Sequence, residues 1–132
     1  MKWDVIVIGA GPAGSFTAQK IAASGFKVAL LEEDSTIGEP LQCSGLISPR
    51  ALEIAGVDDD IVINRLRGLR VFSPLGATLQ VENSRVYALA IDRVGLDRKL
   101  AQKALNAGAV LFTNTEAKGL EYFPGGVPGC GY

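Results

Sequence analysis

A glycine motif close to the amino terminus constrains the fold of this chain more than any other feature. Gly9, Gly11 and Gly14 form a GxGxxG pattern, called the glycine turn below. It follows the β-branched residues 5–8, which predict a strand buried on both faces, and precedes residues 13–24, which predict a helix. In this setting the first glycine permits a tight turn, the second lets a pyrophosphate approach the backbone, and the third lets strand and helix pack closely.

An acidic residue at the next strand end supports the same interpretation. Residues 26–31 predict a second strand, parallel to the first because a helix connects them. Glu32 follows this strand, where a carboxylate can accept hydrogen bonds from both ribose hydroxyls of an adenosine and would repel a 2′-phosphate. The pattern predicts a dinucleotide-binding α/β module and disfavours NADP, but it does not separate NAD from FAD. An ordinary glycine turn in another α/β protein is the alternative.

The composition excludes several classes of function. With 13 basic and 14 acidic side chains the net charge is −1, so nucleic acid is not an expected partner. The chain has no histidine, which excludes His-dependent catalytic triads and His-ligated metal sites within it. Cys43 and Cys130 are far apart and do not form a CxxC pair, so we expect neither a metal site nor a disulfide framework. No apolar run is long enough to span a bilayer, and a cytoplasmic location is expected.

Four segments are predicted along the chain. Residues 1–60 are the first part of the dinucleotide module, residues 61–91 are a β-rich segment, residues 92–123 return to the module, and residues 124–132 are an irregular tail that suggests truncation. Shorter elements are also predicted: a loop at 32–48, a helix at 49–55, a solvated acidic turn at 58–60, a hairpin pairing 68–72 with 77–81, an extended run at 85–91, an amphipathic helix at 93–107, and strands at 109–113 and 117–122.

Three stretches together resemble the amino-terminal part of the geranylgeranyl reductase family. They are the glycine turn with Ala18, Gly25 and Glu32; residues 37–48, called the cysteine loop below; and residues 92–109, an arginine-headed helix. The resemblance extends over about residues 1–122, and the cysteine loop is much more specific than the glycine turn. The family's later Gly-Asp segment and its lipid-pocket aromatic motif have no counterpart here, so we expect an amino-terminal fragment.

The resemblance implies a Rossmann-like FAD-binding domain with a parallel central sheet, plus the start of a β-rich substrate domain. In that family, reduced flavin delivers hydride to an isolated isoprenoid double bond, and a proton must reach the other carbon. Cys43 is the candidate catalytic residue, for shielding or for proton delivery. The implied cofactor-binding residues are Gly9, Gly11, Pro12, Ala13, Gly14 and Glu32 for the ADP half, Cys43, Ser44 and Gly45 along the flavin, Arg93 against the cofactor, and Ala117 near the adenine.

Several of these residues have simpler interpretations. A lone cysteine in a loop is most often a small buried hydrophobe. Arg93 is one helical turn before Asp97 and can pair with it. Trp3 and Phe16 are expected in the core rather than as stacking platforms. Glu33 and Glu39 are expected to be exposed, and Glu39 is a weak site candidate because it precedes Cys43.

Three functions remain open. The first is an FAD-dependent reductase of geranylgeranyl chains, acting on a membrane lipid, supplied by an unidentified electron donor and contacting the membrane surface. The second is a flavin monooxygenase of the same fold, but residues 40–48 favour the reductase over it. The third is a non-catalytic carrier of prenyl chains, and the intact glycine turn and Glu32 argue against this function.

Overall fold

A computed structural model of the chain describes residues 2–121 and 129–131. Its helices are α1 (Pro12–Ala23), α2 (Pro49–Ala55) and α3 (Arg93–Asn106), with one 3₁₀ turn at Asp59–Ile61. Its strands are β1 (Val5–Ile8), β2 (Val28–Leu31), β3 (Leu46–Ile47), β4 (Val62–Leu66), β5 (Gly68–Phe72), β6 (Thr78–Glu82), β7 (Ala88–Ile91), β8 (Val110–Phe112), β9 (Gly119–Glu121) and β10 (Gly129–Gly131).

A parallel sheet of three strands contains β1 and β2, which precede the glycine turn and Glu32. Strand β2 lies between β1 and β8 and pairs in parallel with both, which confirms the predicted parallel pair. All four residues of β2 are buried. The expectation that β1 is buried on both faces is wrong, since Ile8 is 58% exposed. Val5 and Val7 pack into the core, whereas Ile6 lines a cavity on the opposite face of the sheet.

Helices α1 and α3 pack against each other beside this sheet. The predicted helices are confirmed, with α1 beginning at Pro12 and α3 at Arg93. Small side chains on the facing surfaces let the helices approach closely. The shared core consists of Ala10, Ala18, Ala22, Val28, Leu30, Ala104 and Ala109.

A second, antiparallel sheet lies on the other side of α3. Strand β7 is its centre and pairs with β3 and with β4. The loop predicted over residues 32–48 therefore contains a strand, although β3 has only two residues and depends on β7 for its hydrogen bonds. The core under this sheet joins α2 to α3 through Leu52, Ile61, Leu89, Ile91, Leu96 and Leu100.

The remaining strands form two hairpins. Strands β5 and β6 pair around residues 73–77, as predicted, with β6 one residue later than expected. Strand β10 pairs antiparallel with β9, so backbone pairing extends into residues 129–131 of the predicted tail. The rest of that tail, residues 124–128 and 132, lies outside the described residues, as does Tyr122. None of the helices in the described ranges combines the length and apolar character needed to cross a bilayer.

Candidate functional site

The glycine turn leaves the first turn of α1 open to an anion. Gly9 has φ of +90°, and a Cβ built on Gly14 would lie 1.8 Å from the Gly9 carbonyl oxygen, so only glycine permits this close approach. A Cβ on Gly11 would meet nothing within 4 Å. Gly11 is also the N-cap and makes no side-chain hydrogen bond, which leaves the Ala13 and Gly14 amides at the positive end of the helix.

A buried hydroxyl holds this turn in place. Ser15 is fully buried, and its Oγ donates a hydrogen bond of 2.8 Å to the Ala10 carbonyl oxygen. The Ser15 backbone N–H donates to the Gly11 carbonyl at 2.9 Å. These bonds join the turn to α1 on both sides of the glycines.

Glu32 lies at the end of β2, beside the glycine turn. Its Oε2 accepts a hydrogen bond from the Ala10 N–H at 2.7 Å, and its Oε1 accepts one from the Asp34 N–H at 3.1 Å. The Glu32 backbone pairs with the Phe112 carbonyl and with the Thr115 N–H, both at 2.8 Å. The carboxylate is therefore fixed at the carboxyl ends of the parallel strands, where dinucleotide folds bind their ligand.

The cysteine loop contacts the start of α3 at Gly38 and the end of β7 at Gly45. Gly38 has φ of +80°, and a Cβ on it would lie 3.1 Å from the Val94 Cα. Gly45 has φ of +71°, and a Cβ on it would lie 2.5 Å from the Ile91 carbonyl oxygen. The Ile91 N–H also donates to the Gly45 carbonyl at 2.8 Å. Between these two contacts the loop carries Cys43.

The Cys43 thiol is exposed and lies against a cation. Hydrogen bonds from the Gly45 backbone and the Arg93 side chain lower the pKa of the Cys43 thiol below its ordinary value. The interpretation of Cys43 as a small buried hydrophobe is wrong, because the thiol faces solvent.

Arg93 and Asp97 form the predicted pair on one face of α3. Arg93 Nε donates to Asp97 Oδ1 at 3.0 Å, and Nη2 donates to Oδ2 at 3.2 Å. Asp97 is buried, and this burial raises the pKa of its carboxyl above the ordinary value, although the hydrogen bonds from Arg93 oppose the rise.

One cavity of about 180 Å³ joins these groups. It is lined by Gly11, Glu32, Cys43 and Arg93, which the sequence analysis named as site residues, together with Asp97. Other candidates do not line it: Pro12 and Ala13 lie instead along an apolar groove between the helices, with Arg93 and Phe16.

Some lining residues were not identified from the sequence as site residues. Gly38 and Asp34 line the cavity, as does Glu39, which was only a weak candidate and is exposed as expected, pairing with Arg98 at 2.6 Å. The available signal was the glycine itself, since a glycine in a loop rich in turn residues often adopts a positive φ, as Gly38 does. Ala117 lies between β8 and β9, two residues after Thr115, and does not line the cavity.

Trp3 and Phe16 are both predicted to lie in the core rather than to serve as stacking platforms. Trp3 is half-buried, and its ring meets that of Phe112 edge to face, with centroids 5.8 Å apart. Phe16 packs against the core under the second sheet. Both rings therefore pack against other protein side chains.

Comparison with known proteins identifies similar sequences and structures. A family described as an FAD binding domain matches residues 2–127. Digeranylgeranylglycerophospholipid reductase 2 of Methanothermobacter thermautotrophicus is 38% identical over 131 residues, which are 98% of this chain and 34% of that protein. The digeranylgeranylglycerophospholipid reductase of Methanocaldococcus jannaschii is 36% identical over 121 residues, which are 90% of this chain and 30% of that protein. The chain spans about a third of the length of these curated relatives.

Solved structures share the same architecture. A geranylgeranyl bacteriochlorophyll reductase-like protein from Thermoplasma acidophilum matches with a TM-score of 0.82 at 28% identity, covering 92% of this chain and 32% of that chain. A myxobacterial FAD-dependent chondrochloren halogenase matches with a TM-score of 0.70 at 23% identity, covering 92% of this chain and 30% of that chain. At that identity the halogenase shows a common fold and nothing of the reaction.

Proposed function

Because the chain belongs to the FAD binding domain family, we propose that it is the flavin-binding part of an oxidoreductase that reduces isolated double bonds of geranylgeranyl chains. The predicted α/β FAD-binding fold and the predicted cofactor, FAD, are confirmed. The two relatives described above, both named as digeranylgeranyl lipid reductases, support the substrate class.

The residues of the glycine turn and of β2 fit FAD. The open space at Gly11 lets a diphosphate lie against the backbone, where the first-turn amides and the positive end of α1 attract it. Each oxygen of Glu32 accepts one backbone N–H, so each keeps acceptor capacity for one ribose hydroxyl. These two features lie on neighbouring strand ends, as an ADP group requires.

The remaining binding roles follow the resemblance. They are contacts along the flavin from Cys43, Ser44 and Gly45, contact with the cofactor from Arg93, backbone contact near the adenine from Ala117, and formation of the pyrophosphate turn by Gly9, Gly11, Pro12, Ala13 and Gly14.

Cys43 is the proposed proton donor. FAD held by these residues and reduced by the electron donor would supply a hydride for one carbon of the double bond. The Cys43 thiol gives its proton to the other carbon, and its electron pair stays on sulfur. The Gly45 backbone and the Arg93 guanidinium, which lower the pKa of the thiol, stabilise the resulting thiolate. Because the side chain is exposed, solvent can return the proton.

The observation that carries the proposal is the shared cavity. Cys43 and Arg93 line the same space as Gly11 and Glu32, so the acid group and the ADP-binding groups face one continuous site. A thiol with a lowered pKa in such a site is suited to proton transfer.

The test begins with the protein expressed from its complete reading frame. Its visible spectrum, before and after addition of FAD, shows whether it binds flavin. The reduced protein is then mixed anaerobically with a geranylgeranyl lipid. We expect reoxidation of the flavin and a lipid product heavier by two hydrogens for each bond reduced. Absence of flavin binding would contradict every enzymatic assignment and leave the carrier function.

The role of Cys43 has a separate test. Cys43→Ala should slow reoxidation by the lipid while FAD remains bound, because the proton donor is lost and the nucleotide contacts remain. Cys130→Ser, which removes the other thiol of the chain, is the matched control and should reoxidise at the unmodified rate. If Cys43→Ala turns over as fast as this control, Cys43 has no part in the mechanism.

The monooxygenase alternative gives a different result when the reduced protein is instead exposed to air in the presence of the lipid and an aromatic compound. A monooxygenase would be reoxidised rapidly by oxygen and would hydroxylate an aromatic compound, leaving the lipid unchanged. Among solved structures, the anhydrotetracycline hydroxylase of Streptomyces rimosus matches with a TM-score of 0.68 at 27% identity, so this outcome is a specific competitor.

Contact with a membrane surface is part of the proposal because the substrate is a membrane lipid. Cosedimentation of the protein with vesicles that contain the geranylgeranyl lipid tests it. Equal recovery of the protein with and without vesicles would contradict it.

A further inference from the structure

Asp97 is a buried carboxylate whose position is not explained by helix stability. In the described ranges, its pair with Arg93 is the least exposed ion pair, with side chains 8% and 21% exposed, whereas every partner in the other pairs is at least 35% exposed. Burying an ion pair incurs a desolvation penalty that exposed pairs avoid. A cation placed four residues before an anion is also the less favourable order on a helix. Some other role is needed to account for this pair.

The geometry of the pair fixes the orientation of Arg93. Two parallel hydrogen bonds, from Nε and Nη2, hold the guanidinium plane against the Asp97 carboxylate. A guanidinium has five N–H donors, so donors remain for a second partner. Cys43 lines the same cavity as Arg93 and Asp97, and Arg93 lowers the pKa of its thiol, so we infer that the Cys43 side chain is the second partner.

The cysteine loop is packed against the same two residues of α3. A Cβ on Gly38 would lie 3.5 Å from the Asp97 Cβ, and one on Gly45 would lie 3.7 Å from the Arg93 Cβ. The ends of the segment that carries Cys43 are therefore set by the helix that carries the ion pair. Arg93, Asp97 and Cys43 form one structural unit.

We propose that Asp97 is a positioning residue, whose carboxylate holds the Arg93 guanidinium in the orientation in which it hydrogen bonds the Cys43 thiol. The relevance of this unit to proton delivery rests on the proposed function, but the contact can be tested without flavin or lipid. Asp97 acts only through Arg93.

Two effects of Asp97 on Cys43 have opposite signs. The negative charge of Asp97 raises the pKa of the Cys43 thiol, whereas the hydrogen bond from Arg93 lowers it by more. Removing the charge alone would lower the pKa of the thiol, whereas releasing Arg93 would raise it. The other charged groups that line the cavity are Glu32, Asp34 and Glu39, the last with its partner Arg98.

The experiment measures the rate of Cys43 alkylation by iodoacetamide between about pH 5 and pH 9, followed by mass spectrometry, because only the thiolate reacts. It is carried out on the protein from the complete reading frame, in a Cys130→Ser background. Asp97→Asn should move the midpoint of the rate profile to higher pH and slow alkylation at neutral pH by roughly threefold or more. A midpoint that stays or moves to lower pH would overturn the proposal.

The matched control is Glu39→Gln, which removes one negative charge at the same cavity and leaves the Arg93–Asp97 pair intact, since Glu39 pairs with Arg98. Its midpoint should stay or fall, since only the effect of charge is lost. A rise equal to that of Asp97→Asn would overturn the proposal, because it would show that any lost carboxylate has this effect.

A second variant keeps the test decisive if Asp97→Asn does not fold. Arg93→Lys retains the positive charge beside Asp97 but lacks the planar fork, so it should also raise the midpoint. An unchanged midpoint would show that charge alone acts on Cys43, and the positioning role would be lost. Neither result depends on flavin: a protein that fails to bind FAD would contradict the proposed function while leaving these profiles readable.

Discussion

The carboxylate of Glu32 lies 2.7 Å from the backbone nitrogen of Ala10, so the acid at the end of β2 is bonded to the turn that follows β1. This hydrogen bond joins the proposed ribose-binding group to the proposed pyrophosphate-binding group. Because Ser15 bonds the Ala10 carbonyl at the same peptide segment, three elements meet at one residue. Changes at any of them are expected to alter FAD affinity.

Glu32→Gln should weaken FAD binding by roughly tenfold or more, since hydrogen bonds to a charged group contribute about 1.5–3 kcal/mol and about 1.4 kcal/mol corresponds to tenfold. The amide retains one acceptor oxygen and places an NH₂ group where the carboxylate accepted a second N–H. Quenching of flavin fluorescence on titration of the apoprotein measures the dissociation constant. Glu33→Gln, a change at the exposed neighbouring acid, is the control. Equal constants for the two variants would contradict the role of Glu32.

Gly14→Ala and Gly11→Ala should separate folding from binding. A methyl group at Gly14 would collide with the Gly9 carbonyl, so we expect a loss of roughly 1–3 kcal/mol or more of unfolding free energy. A methyl group at Gly11 would meet nothing within 4 Å. The φ of Gly11 is −67°, which alanine also adopts without strain. The unfolding free energy of Gly11→Ala should therefore stay within about 1 kcal/mol of the unmodified protein.

Gly11→Ala, although it has little effect on stability, should weaken FAD binding. Its methyl group would occupy the space that the diphosphate needs, so the folded variant should bind FAD more weakly. Urea unfolding without FAD, followed by FAD titration, measures both quantities. Unmodified affinity in Gly11→Ala, or unmodified stability in Gly14→Ala, would contradict the assignment of these two glycines.

Local signals made the first half of the site predictable. The glycine turn, α1 and the position of Glu32 depend on residues close together in sequence, where turn geometry and helical periodicity operate. Helix α3 was predictable for the same reason, as its apolar residues recur at helical spacing. The Arg93–Asp97 pair also follows from spacing along one helix.

The rest of the site depends on contacts between distant segments. Strand β3 has two residues and forms only because β7 supplies its partner. The contact of Gly38 with Val94 and the burial of Asp97 arise where the cysteine loop meets α3. Neither is encoded in a local pattern, since the i, i+4 spacing of Arg93 and Asp97 is the same for an exposed pair.

Asp97 should leave a signature in the pH dependence of stability. Burial raises the pKa of its carboxyl in the folded state, with the ion pair to Arg93 opposing the rise. The folded protein therefore holds this proton more tightly than the unfolded chain does. Its contribution to the unfolding free energy is most favourable below the ordinary pKa and falls as pH rises through the raised one.

Urea unfolding of the unmodified protein and of Asp97→Asn, in steps between about pH 3.5 and pH 6, measures this contribution as a difference. The asparagine cannot titrate, so the advantage of the unmodified protein should shrink as pH rises through that window. An advantage that grows over the same window would contradict the argument from burial.

Ser15→Ala should destabilise the protein through the glycine turn. Ser15 is fully buried and its hydroxyl donates to the Ala10 carbonyl, so the variant leaves that carbonyl without this donor. The expected loss of unfolding free energy is about 1–3 kcal/mol, the usual effect of an unpaired buried polar group. Ser24→Ala is the matched control, since the Ser24 hydroxyl also donates to a backbone carbonyl, that of Lys20, at an exposed site where water can replace it. Urea unfolding of both variants gives the comparison, and an equal effect in the two would show that burial at the glycine turn adds nothing to this hydrogen bond.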